Sequence, residues 1–96
     1  MIDQFHTKIS VVMAIYNGEE YLHEQITSIK VQSLAPDEII FIDDCSTNDP
    51  SEIIHNALKD SSIKFSILKN EKNEGMNFSF RRGVKEASGN IIFFSD

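Results

Sequence analysis

The stretch "KISVVMAIY", residues 8–16, decides how the rest of the chain is read. It is apolar at odd and even positions alike and rich in β-branched side chains, so neither of its faces suits water. A strand buried on both faces belongs inside a parallel sheet with helices above and below it. Parallel neighbours need crossover connections, so helical segments should separate this strand from the next.

Working outward, that alternation is what the sequence offers. Asn17 is a candidate cap for a helix in which Leu22, Ile26 and Ile29 recur at helical spacing. "LAPDE" (34–38) ends that helix, because Pro36 biases Ala35 away from helical angles. "EIIFID" (38–43) is a second fully apolar strand. In "NDPSE" (48–52), Asp49 reads as a cap, Pro50 as the first helical residue and Glu52 as the partner completing a capping box. Ile53, Ile54, Ala57 and Leu58 give that helix its buried face. "IKFSILK" (63–69) alternates polar and apolar, as a one-sided or edge strand does. Residues 74–88 read as a third helix with Phe80, Val84 and Ala87 inward and Gly89 as its left-handed terminal cap. "NIIFFS" (90–95) is a fourth strand, whose bulky run predicts a buried element delivering Asp96 to the sheet rim.

The order is βαβαβαβ, and right-handed crossovers leave few ways to arrange it. The commonest gives a mostly parallel sheet of about four strands in the order 3-2-1-4, a Rossmann-like three-layer α/β/α architecture. With 96 residues there is room for one compact domain, spanning 1–96. The crevice between the first and fourth strands, at their C-terminal ends, is the switch point where such sheets bind ligands.

Composition removes several function classes. A net charge of -6 argues against a binder of nucleic-acid backbones, which needs a basic stripe. Cys45 is the only cysteine, so neither an intrachain disulfide nor a thiolate zinc cage can form. His6, His23 and His55 show no close ligand spacing. No apolar run is long enough to span a membrane, and "MIDQFHTK" lacks the apolar centre of a signal peptide. A soluble, cytoplasmic chain is expected, with membrane association of a longer parent left open.

Three strands send polar groups to one rim: Tyr16 and Asn17, then Asp43 and Asp44, then Asp96. Taken singly, Asn17 can be a cap, Tyr16 a packing residue and the aspartate pair turn chemistry. Their convergence points to a ligand. No G-x-G-x-x-G follows the first strand and no G-x-x-x-x-G-K occurs, so phosphates would find no glycine-rich cradle. A divalent cation held by carboxylates is the natural substitute, and Asp96 stands where such a ligand is expected.

"ISVVMAIYNGEEYLHEQITSIKVQS", "DEIIFIDDCSTND" and "NEGMNFSFRRGVKEASGNIIFFSD" together resemble the N-terminal nucleotide-sugar-binding half of family 2 glycosyltransferases with the GT-A fold. The resemblance runs from about Lys8 to Asp96, with the segments in the family's order and spacing. It implies that Ala14, through its backbone, and Tyr16 line the base pocket. It implies that Asp44 accepts a hydrogen bond from the imide N–H of uracil or thymine, while Asp43 orders the loop. Asn73 and Gly75 match the family's N-x-G turn near the nucleotide. Asp96 matches the first aspartate of the D-x-D signature that handles ribose, diphosphate and metal, Mg²⁺ or Mn²⁺.

The implied reaction is an inverting transfer from a nucleotide-diphosphate sugar, of UDP or dTDP type, in cell-surface glycan synthesis. Two departures stand out. Phe80 occupies a position where many members carry a basic residue, and adjacent Arg81 and Arg82 are the nearby cations. The rest of the D-x-D signature, the acceptor half and the catalytic base would all lie beyond Asp96. No catalytic residue is therefore expected within 1–96, nor transferase activity from the chain alone. An uncovered fourth strand predicts a dimer or aggregation through its edge.

The alternative is a non-catalytic nucleotide-binding or receiver-like signalling module. A receiver needs its acidic pair after the first strand and its phosphoacceptor after the third, but those strands end in "AIYN" and "LKN". A nicotinamide-binding module would need the missing glycines. A nucleotidyltransferase would present a glycine-rich, basic loop where "YNGEEYL" is acidic.

Overall fold

A computed structural model of the chain describes residues 7–32 and 35–95. Its elements run β1 (Ile9–Ile15), α1 (Glu19–Lys30), β2 (Glu38–Asp43), α2 (Ser51–Leu58), β3 (Lys64–Lys69), α3 (Met76–Glu86) and β4 (Ile91–Ser95). The four strands form one sheet in the order β3-β2-β1-β4. Every pair is parallel. This is the predicted topology.

The order dictates the layers. From β1 to β2 to β3 the chain steps in one direction, so right-handed crossovers lay α1 and α2 on the same face. From β3 to β4 it doubles back past β2 and β1, which sends α3 to the opposite face. Strand alternation matches this. Val11, Met13, Ile15, Ile39 and Phe41 pack with Leu22, Ile26, Ile29, Ile54, Ala57 and Leu58. Val12, Ile40 and Ile42 pack instead with Leu68, Phe80, Ala87 and Ile92. Each fully buried side chain of this kind contributes roughly 1.5–3 kcal/mol, so the strands need both helical layers.

The helix α3 sits differently from the prediction. Ser79 and Gly83 are its buried residues, Phe80 and Ala87 are half-buried, and Val84 is exposed. The reason is the close approach of helix to sheet. A Cβ at position 83 would collide with the Val12 side chain. Small residues one turn apart therefore form the contact line, and Val84 falls on the flank. Phe80 reaches sideways instead, its ring centroid 4.8 Å from that of Phe94.

The predicted caps also change. The N-cap of α1 is Gly18, in the left-handed region at φ 75°, with no side-chain bond, so Asn17 does not cap. The N-cap of α2 is Pro50, one residue later than expected, although Asp49 Oδ1 still accepts the Ser51 N–H at 2.9 Å. Glu52 adds no reciprocal bond. Gly89 is not left-handed; α3 ends at Ala87, which is already extended. Glycine is needed at 89 for space, because a Cβ there would collide with Ser10 Oγ. At this end of the sheet Glu38 accepts from the Ser10 hydroxyl and from the Ser88 amide and hydroxyl, locking the loop before β4.

The edges complete the picture. β3 is half-buried along most of its length, as its alternation predicts. β4 departs from the expectation of a buried strand: Phe93 is 55% and Phe94 57% exposed. Among the described residues β4 has β1 as its one strand neighbour, so its outer side is uncovered.

Candidate functional site

The site is built where β1 and β2 end together. Ile15 and Asp43 are register partners. The next bond continues the ladder past both strands: Asp44 N–H donates to the Ile15 carbonyl at 2.7 Å. Tyr16 and Asp44 therefore leave adjacent strands side by side. Tyr16 is 57% exposed, and a recess of about 220 Å³ opens beside it, walled by Ala14, Gly18, Tyr21 and Gln25.

Asn17 and Gly18 both take positive φ, 57° and 75°, which turns the chain sharply off β1. Freed from capping, the Asn17 side chain laces two loops together. Its Oδ1 accepts from the Thr47 amide at 3.0 Å and the Thr47 hydroxyl at 2.7 Å. The Asn17 backbone N–H donates to Ser46 Oγ at 2.8 Å. Asn48 Nδ2 donates to Glu19 Oε1 nearby. The rim around Tyr16 is thus held from both sides.

Alternation sends the two aspartates apart. Asp43 is buried and its Oδ1 accepts the Ser46 N–H at 3.0 Å, a local turn that orders its own loop. Asp44, 5% exposed, instead collects three donors from across the rim. Oδ1 accepts from Asn70 Nδ2 at 2.9 Å and from the Glu74 amide at 2.7 Å. Oδ2 accepts from the Gly75 amide at 2.9 Å. Burial by itself would raise the Asp44 pKa, but the bonds from Glu74, Asn70 and Gly75 together outweigh it and hold the carboxyl below its ordinary value. An ionised carboxylate has room for about four donors, so Oδ2 retains capacity for one more.

The Asn73–Gly75 turn is placed by this carboxylate. Gly75 lies at φ 93°, ψ 167°, a region that only glycine enters readily. Asn73 is exposed in the same turn. Structure thus brings Ala14, Tyr16, Asp44 and Gly75 to one end of the sheet. Asp96, the expected metal ligand, lies outside the described residues. Among those described, no group of three His, Cys, Asp or Glu side chains is placed to hold a metal ion.

Sequence reasoning missed Asn70 and Ser79, and named Arg82 only as a nearby cation. Asn70 is 2% exposed and bonds to all three neighbours at once. Its Nδ2 reaches both Asp44 and Ser79 Oγ, each at 2.9 Å. Its Oδ1 accepts from Arg82 at 2.8 Å, and Arg82 also donates to the Lys69 carbonyl. The available signal was an asparagine closing β3 at the same rim that receives the aspartates. The two arginines now separate: Arg82 is tied to β3, while Arg81 is exposed beside Asn77, Phe80 and Phe94.

Comparison with known proteins places this arrangement. The model of the glycosyl transferase family 2 matches residues 10–96. An uncharacterised glycosyltransferase of Rickettsia conorii is 40% identical over 90 residues, which cover 94% of this chain and 14% of that protein. The structure of Staphylococcus aureus TarS 1-349 in complex with UDP-GlcNAc matches with a TM-score of 0.76 at 28% identity, over 93% of this chain and 26% of that one. A mannosyltransferase from Pyrobaculum calidifontis, solved with GDP-Man and Mn²⁺, shares the fold at a TM-score of 0.80 and 16% identity, covering 93% of this chain and 27% of its own. The chain thus spans 14% of the Rickettsia protein and 26% and 27% of the two solved chains. It belongs to glycosyl transferase family 2, and its fold is that of the GT-A enzymes.

Proposed function

We propose that this member of glycosyl transferase family 2 provides the nucleotide-binding part of an inverting transferase that moves a sugar from a nucleotide diphosphate to an acceptor hydroxyl. Cell-surface glycan assembly, in the cytoplasm or at its membrane, is the proposed setting. The observation that carries the reading is the Asp44–Ile15 bond, which sets Tyr16 and Asp44 side by side at the rim.

In this proposal the nucleobase lies against the exposed Tyr16 ring, with the Ala14 backbone as the pocket wall. The imide N–H of uracil or thymine donates to the remaining acceptor position on Asp44 Oδ2. Asn73 and Gly75 border the nucleotide through the turn that Asp44 holds. The acceptor oxygen attacks the anomeric carbon from the face opposite the leaving diphosphate, and a carboxylate base takes its proton. That base is assigned to no residue of 1–96. Asp96 is proposed as a ligand for Mg²⁺ or Mn²⁺, which when bound would offset charge on the diphosphate.

The test is thermal stabilisation of the chain by UDP, dTDP, CDP and GDP, with and without Mn²⁺. Cytosine presents an acceptor where uracil presents the imide N–H, so UDP and dTDP should stabilise more than CDP. Equal shifts for all four would remove the base-recognition reading. Sugar transfer is proposed to be absent from the isolated chain, and turnover of a nucleotide sugar by it would refute that. We further propose that two copies associate along β4, where Phe93 and Phe94 are exposed on an edge. A monomer in sedimentation at high concentration would count against it.

A further inference from the structure

We propose that Asn70 is a positioning residue for base selectivity: its buried amide fixes the Asp44 carboxylate in the one orientation that leaves Oδ2 open to an imide N–H. This rests on the nucleotide-binding reading above and names the group that makes the site selective.

The amide can sit only one way round. An arginine can only donate, so the oxygen of Asn70 must face Arg82, 2.8 Å away. An ionised carboxylate can only accept, so the nitrogen must face Asp44, 2.9 Å away. The second N–H of the same nitrogen goes to Ser79 Oγ at 2.9 Å. The backbone amide of Asn70 donates to the Asp43 carbonyl at 2.8 Å. One side chain, 2% exposed, thus joins the ends of β2 and β3 to α3. With Oδ1 of Asp44 saturated by Asn70 and Glu74, the carboxylate cannot rotate without losing both bonds. Oδ2 keeps the Gly75 amide and its spare lone pair.

Asn70 also separates charges. Its neutral amide stands between the Arg82 cation and the Asp44 anion, bonded to each, and keeps them from pairing directly. Were they paired, the arginine would compete with the imide N–H for Oδ2.

The test uses two variants of the chain, Asn70→Asp and Ser79→Ala, with UDP and CDP affinities measured by calorimetry. Asn70→Asp keeps the shape and the Arg82 contact but replaces both side-chain donors with acceptors. Ser79→Ala removes one anchor of the amide and so loosens the hold of Asn70 on Asp44. The parent should prefer UDP over CDP by about tenfold, the worth of one hydrogen bond to a charged group. In Asn70→Asp that ratio should fall to about one, and in Ser79→Ala to a value between. Amide resonances of Glu74 and Gly75 should shift in both variants, reporting the turned carboxylate. A purely structural role would lower both affinities equally and leave the ratio intact. A folded Asn70→Asp protein with an unchanged ratio overturns the proposal. If that variant does not fold, an unchanged ratio in Ser79→Ala overturns it. A parent that binds UDP and CDP equally overturns the base-recognition reading and this inference with it, and a parent that binds neither overturns the nucleotide-binding reading itself.

Discussion

The Asp44 carboxylate and the Gly75 amide, 31 residues apart in sequence, meet at 2.9 Å. With the Glu74 amide on the other oxygen, this contact makes one side chain the anchor of the turn that opens α3. The sequence suggested Asp44 as a ligand-binding group and Asp43 as the organiser of a loop. Both organise loops, and Asp44 does so across the rim.

Replacing Asp44 with alanine should therefore destabilise the chain as well as empty the site. Three donors lose a charged acceptor in a buried position, at a cost on the order of 2–4 kcal/mol. Asp44→Asn should cost less, since its amide oxygen still accepts. Urea unfolding of the two variants gives the order, and an Asp44→Ala protein as stable as its parent would contradict it.

Gly75 should tolerate no side chain, although open space surrounds the position. Nothing lies within 4 Å of a Cβ built there, so the penalty comes from its backbone angles. Gly75→Ala should lose about 1–3 kcal/mol, the usual cost of forcing a non-glycine residue into such a region. A neutral result in denaturant titration would mean the turn relaxes to negative φ.

Gly83 presents the opposite case, in which sterics decide. Gly83→Ala drives a methyl into Val12 and should destabilise by about 1–3 kcal/mol. Adding Val12→Ala should recover part of that loss, because the two side chains compete for the same space. The double-mutant cycle should show coupling above about 0.5 kcal/mol. Strict additivity would place the collision elsewhere.

Acid should weaken the fold at both ends of the sheet. Burial would raise the Glu38 carboxyl, but its bonds from Ser10 and Ser88, with the charge of Lys8, hold it below its ordinary value, as happens at Asp44. A carboxyl depressed in the folded state adds stability that is complete above its unfolded pKa, about 3.9 for Asp and 4.3 for Glu, and is lost as pH falls through the folded one. The urea midpoint should stay level between about pH 7 and 5 with respect to these groups and drop below about pH 4. Asp44→Asn should flatten part of that drop. A midpoint that rises on acidification through pH 4 would contradict the sign.

Most of the fold could be read from local pattern. "KISVVMAIY" and "EIIFID" are apolar on both faces, which fixes them as interior strands, and "IKFSILK" alternates, which puts it at an edge. The helix stripes of Leu22, Ile26 and Ile29, and of Ile54, Ala57 and Leu58, are buried as their spacing predicts. Handedness then supplies the order β3-β2-β1-β4. These features depend on periods of two and 3.6 residues and on chirality, all of which act within a short segment.

The departures arise where distant segments compete for one side chain or one space. Asn17 looks like a cap, yet Thr47 offers its Oδ1 two donors from another loop. Val84 has the spacing of an inward residue, yet Gly83 and Ser79 set the depth at which α3 meets Val12. Gly89 resembles a terminal cap, yet Ser10 requires the space. Sequence alone determined the strands, the helices, their order and the rim at which polar groups collect, because backbone preference and burial are properties of neighbouring residues. Tertiary structure alone decided that Asn70 and Asp44 form the hub of that rim, because a hydrogen bond spanning 26 residues leaves no mark on local pattern.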